Sequence, residues 1–187
     1  EQAGEFADVL AAASSNSNTN VGKMGYTFKY VAPLAGALGY NIQDTALAIG
    51  AMADSGIKGE QAGTSLRALF TRLVSPTKDV NEAMAVLSQH VEGGFSAIDA
   101  TTGKMKPLRT VLNDLRKGFK GLSEAEKGKI ASDLAGQEAM SGLLAIVNES
   151  DEKFDSLAKS IDASHDAAEK MAKIRLDNLA GDLTYLS

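Results

Sequence analysis

The side chains best suited to acid–base or metal chemistry in this sequence are two histidines and a group of acids near the C-terminus. His90 and His165 are the only imidazoles, and neither lies near a serine in a Gly-x-Ser-x-Gly turn, which disfavours a serine triad. His165 and Glu169 are four residues apart and would share one helix face. With Asp162 or Asp166 close by, that face could bind a divalent ion. Because acids at a helix start are also favoured by the helix dipole, we interpret the group as a solvated helix start and predict no metal site.

Other patterns that carry catalysis or bind cofactors are absent from the sequence. Without cysteine the chain has no disulfide scaffold, no thiolate zinc site and no cysteine nucleophile. It has no Gly-x-x-x-x-Gly-Lys-Ser/Thr phosphate loop, and the Gly93-Gly94 pair belongs to the start of a predicted hairpin. Counting carboxylates cannot identify a glycosidase, since a helical chain with 24 acids contains accidental pairs. We predict no catalytic residue and no cofactor.

Composition predicts one soluble domain, or two small ones, with a core of small side chains. Of the 187 residues 44% are hydrophobic, but only 10 are aromatic while 29 are alanine and 18 are glycine. Large side chains contribute most of the free energy of burial, so we expect modest stability.

Charge is unevenly distributed along the chain. The formal charge of −5 divides into −3 over residues 1–56, +4 over residues 57–120 and −6 over residues 121–187. A pI near 5.1 argues against specific nucleic-acid binding, because phosphate neutralisation dominates that affinity. No apolar run reaches the roughly 18 residues that a membrane span needs. The first residues include neither an initiator Met nor a basic leader, so we expect an internal piece of a longer protein.

Apolar residues recur with helical spacing from one end of the chain to the other. Stripes over residues 62–73 and 108–119 each indicate an amphipathic helix, and a third stripe over residues 168–186 runs to the chain's last turn. The sequence therefore predicts an all-α fold of about eight to ten helices. We expect one helical domain over residues 1–187, with a subdivision near residues 76–107 as the alternative.

Capping residues and glycine predict several helix boundaries. Asn41 is expected to cap a helix that extends through Ala53. Residues 123–126 have the pattern of a capping box that begins at Ser123. Gly136 is expected to separate the helix that follows from the next one.

Two features interrupt the helical pattern. The polar stretch of residues 14–20 should separate an N-terminal helix from one that begins near Val21, and Pro33 in the latter predicts a kink or a break. Residues 94–107 hold two apolar patches around a Thr102-Gly103 turn, which predicts one small β-hairpin.

The most distinctive segment of the sequence combines small and basic residues. Gly59 and Gly63 are four residues apart, so a neighbouring backbone could come close there and offset the cost of about 1 kcal/mol for each glycine inside a helix. The helix before them offers a matching face of small residues, namely Ala46, Gly50 and Ala53. A second interpretation, compatible with the first, is that Lys58, Arg67 and Arg72 form an electropositive patch for an acidic partner surface.

Several short segments, taken together and in order, resemble the core region of tail tape measure proteins from tailed phages and prophages. The resemblance covers nearly the whole chain. Its segments are residues 30–33, 56–67, 72–73, Pro76, residues 102–108, 121–123, Gly136, Met171, residues 178–179 and Gly181.

The resemblance implies a structural virion protein and not an enzyme. Members of that family occupy the tail lumen, help the tail tube to reach a set length and leave with DNA during ejection. The partners it implies are other copies of the chain, tail assembly chaperones, and tail tube and distal tail proteins. It places the protein in the virion tail, and in the host cytoplasm during assembly, with membrane contact only during ejection.

Physical reasoning limits what this segment contributes. A ruler needs an extended helix that rises about 1.5 Å per residue, whereas turns should fold this chain into a compact body. We hypothesise that the body is extended or rearranged when packed in the tail. Two alternatives to an assembly module are a membrane-active or channel-forming segment used during ejection and, ranked last, a cell-wall hydrolase.

Overall fold

A computed structural model describes residues 2–165 of the chain, and this part consists of nine helices joined by short loops. The helices are α1 (Gln2–Ser15), α2 (Val21–Ala37), α3 (Ile42–Asp54), α4 (Gly59–Val74), α5 (Lys78–Ser88), α6 (Leu108–Lys120), α7 (Glu124–Ala135), α8 (Met140–Asn148) and α9 (Asp151–Asp162). The all-α prediction is confirmed. The stripe predicted over residues 168–186 lies outside the described residues.

Side-chain caps set the helix starts as the sequence predicted. Asn41 Oδ1 accepts from the N–H of Asp44 at 2.8 Å, and α3 ends one residue beyond Ala53. Ser123 and Glu126 form the predicted capping box at the start of α7. Gly136, at φ +88°, follows α7 directly, as the left-handed backbone there favours glycine.

Helix α3 lies at the centre of the fold. Every residue from Asp44 to Ala53 is buried, and α3 packs against α1, α2, α4, α6, α8 and α9. Between its two aspartates α3 carries no charge, and a helix that is apolar on all sides is stable only when other elements surround it. The core around α3 also contains large side chains, including Phe70, Phe119 and Phe154, so it is not built from small residues alone.

Helix α2 continues through Pro33 to Ala37, so the predicted break does not occur. Proline removes one backbone donor, which leaves the carbonyl of Lys29 without its usual partner. Both Pro33 and Lys29 are exposed, and solvent reaches this side of the helix. The cost of the missing hydrogen bond is therefore lower than it would be in the core.

The prediction of a β-hairpin near residues 94–107 is wrong, because this segment contains only one isolated antiparallel bridge, between Ile98 and Met105. At the turn, the N–H of Gly103 donates to the carbonyl of Asp99 at 2.8 Å, which ends the ladder there. At the other end Pro107 has no N–H and already stands at the N-cap of α6. Two strands therefore have no room to extend.

Candidate interaction site

The predicted close-packing glycines lie where α4 crosses α2. A Cβ atom on Gly63 would stand 2.6 Å from the Cβ of Tyr30 and 3.2 Å from the carbonyl oxygen of Thr27, so only glycine fits without a shift of α2. Gly59 begins α4 at φ +60°, and its carbonyl accepts from Thr27 Oγ1 at 3.1 Å. Both glycines therefore contact α2, and the two helices run parallel, since Thr27 meets Gly59 and Tyr30 meets Gly63.

Gly50, in the predicted small-residue face of α3, has a different partner from the one predicted. A Cβ atom on Gly50 would lie 2.7 Å from Leu157 Cδ2 in α9 and 3.4 Å from Ser17 Oγ. Gly63 therefore packs against α2, whereas Gly50 makes room for α9. The prediction paired helices that are adjacent in sequence, but α3 returns the chain from the end of α2 to the start of the parallel helix α4, and Gly63 contacts α2.

Two tyrosines missed by the sequence analysis line the outer edge of this crossing. The hydroxyls of Tyr26 and Tyr30 are 3.1 Å apart, and their rings meet edge to face at 5.3 Å between centroids. The hydrogen bond with Tyr26, reinforced by burial and by the nearby Glu60 carboxylate, raises the pKa of Tyr30 to about 12. The signal was the i, i+4 spacing of two aromatic residues on one helix, which places them side by side.

Tyr26 belongs to an outer face of α2 that is basic and carries no acid. Tyr26 is 47% exposed, and the exposed Lys23 and Lys29 lie three residues before and after it, on the same face of the helix. Val21, on the same helix, is 38% exposed. An exposed tyrosine is typical of protein contact sites.

The structure spreads the three predicted basic residues along α4 and gives them different surroundings. Lys58 precedes the first residue of α4, and Arg67 lies on its exposed face. Lys58 and Arg72 are 14 residues apart, which is about 21 Å along a helix. Arg67 and Arg72 line one groove with Thr64, Ala68 and Thr71. A patch that an acidic partner could contact therefore centres on Arg67.

Arg72 has a structural contact as well. Its Nη1 donates to the carbonyl oxygen of Asp133 at 3.0 Å, near the end of α7, where carbonyls lack partners within the helix. A Cβ atom on Gly136 would lie 2.9 Å from Arg72 Nη2, so the glycine also makes room for the guanidinium group. Because Arg72 holds α7 in place, it is a poor position at which to test surface charge.

Two further arginines, which the sequence analysis counted only as part of a basic middle, hold α6 to other helices. Arg109 donates from its backbone N–H and from Nε to the buried Asp44 carboxylate, both at 3.0 Å. Its Nη1 and Nη2 donate to Asp162 at 2.8 and 3.0 Å. These contacts raise the pKa of Arg109, with the Asp162 hydrogen bond as the largest cause. Since Pro107 has no capping side chain, Asp44 supplies the cap of α6 from α3.

Arg116 makes the second connection, seven residues further along α6. It is 4% exposed, and its guanidinium carbon lies 4.1 Å from the centre of the Phe154 ring. Nη1 donates to the carbonyl of Ile146 at 2.7 Å, and Nη2 donates to Asp151 at 2.8 Å. Lys120 donates to the same carboxylate at 2.6 Å. Lys120 and then Arg116 hold the pKa of Asp151 below its usual range.

The acids near the C-terminus do not surround a cation in the part of the chain that the structure describes. Asp162 is bound by Arg109, His165 is exposed, and Glu169 lies outside the described residues. Across residues 2–165 no three His, Asp or Glu side chains are grouped as a metal site would require. Over the same span, no helix is both long and apolar enough to pass through a lipid bilayer.

Comparison with known proteins gives three matches. Residues 1–136 match the family model described as phage-related minor tail protein. The chain is 40% identical over 185 residues to the tape measure protein of Pneumococcus phage Dp-1, a match that covers 99% of this chain and 16% of that protein. It is 29% identical over 185 residues to the probable tape measure protein of Escherichia phage P2, covering 97% of this chain and 22% of that protein. The chain thus spans about a fifth or less of the length of these relatives. No solved structure matches significantly.

Proposed function

Because this chain belongs to the phage-related minor tail protein family, we propose that it is a structural module of a tape measure protein. In this role it takes part in tail assembly, in the determination of tail length and in DNA ejection, and it acts through protein contacts. Its partners are other copies of itself, tail assembly chaperones, and tail tube and distal tail proteins. The module resides in the virion tail, after assembly in the host cytoplasm.

One observation carries the proposal, namely similarity along nearly the whole chain to two proteins that are named as tape measure proteins. It covers 99% and 97% of the chain, so it includes the α2–α4 crossing as well as the arginine contacts of α6. The surface is compatible with a contact role, because α2 exposes Tyr26 and Val21, and α4 exposes Arg67.

The assembly role is tested by reversing charge at Arg67, which is exposed on α4, and at the half-buried Lys58, which directly precedes α4. We expect the double variant Lys58→Glu, Arg67→Glu to fold normally and to yield few or defective tails in a phage that carries it, since an acidic partner would be repelled. Arg72 is left unchanged because it holds the end of α7. Electron microscopy would count tails, and far-UV circular dichroism would check folding.

The control uses an exposed lysine outside α4. Lys104 lies in the loop before α6, so Lys104→Glu changes charge without touching α4. This variant should assemble normal tails. Normal tails from the α4 double variant would refute the assignment of Lys58 and Arg67. Crosslinking mass spectrometry of intact tails would test the role itself, since crosslinks to no other tail protein would contradict it.

A further inference from the structure

The first and last described helices lie antiparallel to each other on α3. Glu5 of α1 accepts from Gln43 Nε2 at 2.6 Å, near the start of α3. Beyond the other end of α1, the N–H of Asn18 donates to Asp54 at 2.8 Å, at the last residue of α3. Helix α1 therefore runs parallel to α3.

Helix α9 runs in the opposite direction. Asp162, its last residue, is joined through Arg109 to Asp44 in the first turn of α3. Halfway along, Leu157 packs on Gly50. The chain thus leaves α9 at the same end of α3 at which α1 begins. We call this end, with Glu5, Gln43, Asp44, Arg109 and Asp162, the entry pole.

The entry pole brings together residues that are far apart in sequence. Glu5 and Asp162 are 157 residues apart, but each contacts, directly or through Arg109, one of two adjacent residues of α3. Side chains of this length place the two backbones on the order of 20 Å apart. As one continuous helix the same residues would extend about 235 Å.

We infer that a longer protein containing this module enters and leaves it at the entry pole, and that the module stays folded in the tail, contrary to the extended form hypothesised from the sequence. The folded module then adds almost nothing to the length that the protein spans in a tail. The inference rests on the proposed function, because length matters only if the chain lies in a tail. The measurement of length then belongs to polypeptide outside residues 5–162. In the Dp-1 relative, the matched region is 16% of the protein, so most of the polypeptide lies elsewhere.

Energy transfer between two dyes tests the geometry, and the absence of cysteine from the chain makes labelling specific. One dye pair uses Ala3→Cys with Ala163→Cys, both exposed and both near the entry pole. The reference pair uses Ala3→Cys with Ser55→Cys, which lies at the other end of α3. In the folded module both pairs should transfer efficiently, because both distances are on the order of 20 Å.

The same pairs are then measured in purified tails. If the module stays folded there, both pairs keep their efficient transfer. In an extended chain transfer between 3 and 163 is lost, because the two positions would be about 240 Å apart along a continuous helix. Loss of transfer for this pair in tails, or in the isolated chain, overturns the inference.

A second experiment measures tail length directly. Replacing residues 6–161 by a short Gly/Ser linker should leave the length of any assembled tails unchanged, whereas a ruler segment would shorten them by about 235 Å. Shortening of that size overturns the inference. If the deletion prevents assembly, the efficiency of transfer between 3 and 163 in intact tails still decides. Absence of the labelled chain from tails would refute the proposed function and with it the inference, but would leave the geometry of the isolated module intact.

Discussion

At the scale of single residues, glycines mark the closest helix contacts, but only some of them are required. Gly63, Gly50 and Gly118 each have a neighbouring side chain closer than 3 Å to the position of an added Cβ atom, whereas Gly128 in α7 has no atom within 4 Å. A glycine inside a helix is thus required by close packing at some positions and is not required by packing at Gly128. The difference lies in which element packs against them, and this is a property of the folded molecule.

The substitution Gly63→Ala should destabilise the protein by about 1–3 kcal/mol, since the added methyl group must push Tyr30 and α2 away. Urea denaturation followed by circular dichroism measures the change. Gly128→Ala is the matched control and should stabilise by up to about 1 kcal/mol, because alanine is the better helix former where space is open. Equal stability of the two variants would contradict the close α2–α4 packing.

At the scale of elements, α9 is held by three apolar side chains on one side and by carboxylates at both ends. Phe154, Leu157 and Ile161 are buried, whereas Asp151 and Asp162 are bound by arginines of α6. Helix α6 therefore holds both ends of α9 in place. Because Asp151 and Asp162 are partly exposed, we expect their ion pairs to be modest and sensitive to salt.

Acid should loosen the start of α9. The pKa of Asp151 is lowered in the fold, so its contribution to stability is present above the unfolded pKa of about 3.9 and is lost as pH falls through the lower folded value. Hydrogen exchange in α9 should therefore become faster, relative to α3, at acidic pH.

Protonation of Glu149 has the opposite effect on stability. Burial and the nearby Asp54 raise the pKa of Glu149, so its protonation favours the fold. Asp151→Asn should abolish the acceleration of hydrogen exchange in α9 at acidic pH. Asp155→Asn, at an exposed position of the same helix, should preserve it. If the acceleration persists in Asp151→Asn, the Asp151 carboxylate is not its source.

At the scale of the whole molecule, one hydrophobic core joins all nine described helices. It includes residues of α1 such as Val9, of α5 such as Leu87 and of α9 such as Phe154. Five of the six phenylalanines are buried, so burial is greater than the alanine and glycine content suggested. A continuous core favours cooperative unfolding.

We therefore expect the chain to unfold in one transition. With no tryptophan, intrinsic fluorescence comes from four tyrosines, of which Tyr26, Tyr30 and Tyr40 lie in the first half of the fold. Circular dichroism reports on helices throughout, so the two urea curves should coincide. Separate midpoints would instead favour the subdivision near residues 76–107.

Interactions between residues close in the sequence explain why most helices could be predicted. Asn41, Ser123 and Ser150 cap helices through hydrogen bonds to backbone N–H groups three residues later, so type and position are sufficient signals. The same holds for the apolar stripe of α6, which begins at Leu108 as expected. The family resemblance likewise depends only on the order of short segments.

Tertiary structure alone decided which elements meet. Gly63 packs against α2, and not against the helix before it, because α3 reverses direction between two parallel helices. Arg109 joins Asp44 and Asp162, which are 65 and 53 residues away, and no local pattern marks such a pair. Likewise, the predicted hairpin is absent because the chain already enters α6 at Pro107. Contacts between distant residues depend on the packing of the whole chain, which local spacing does not determine.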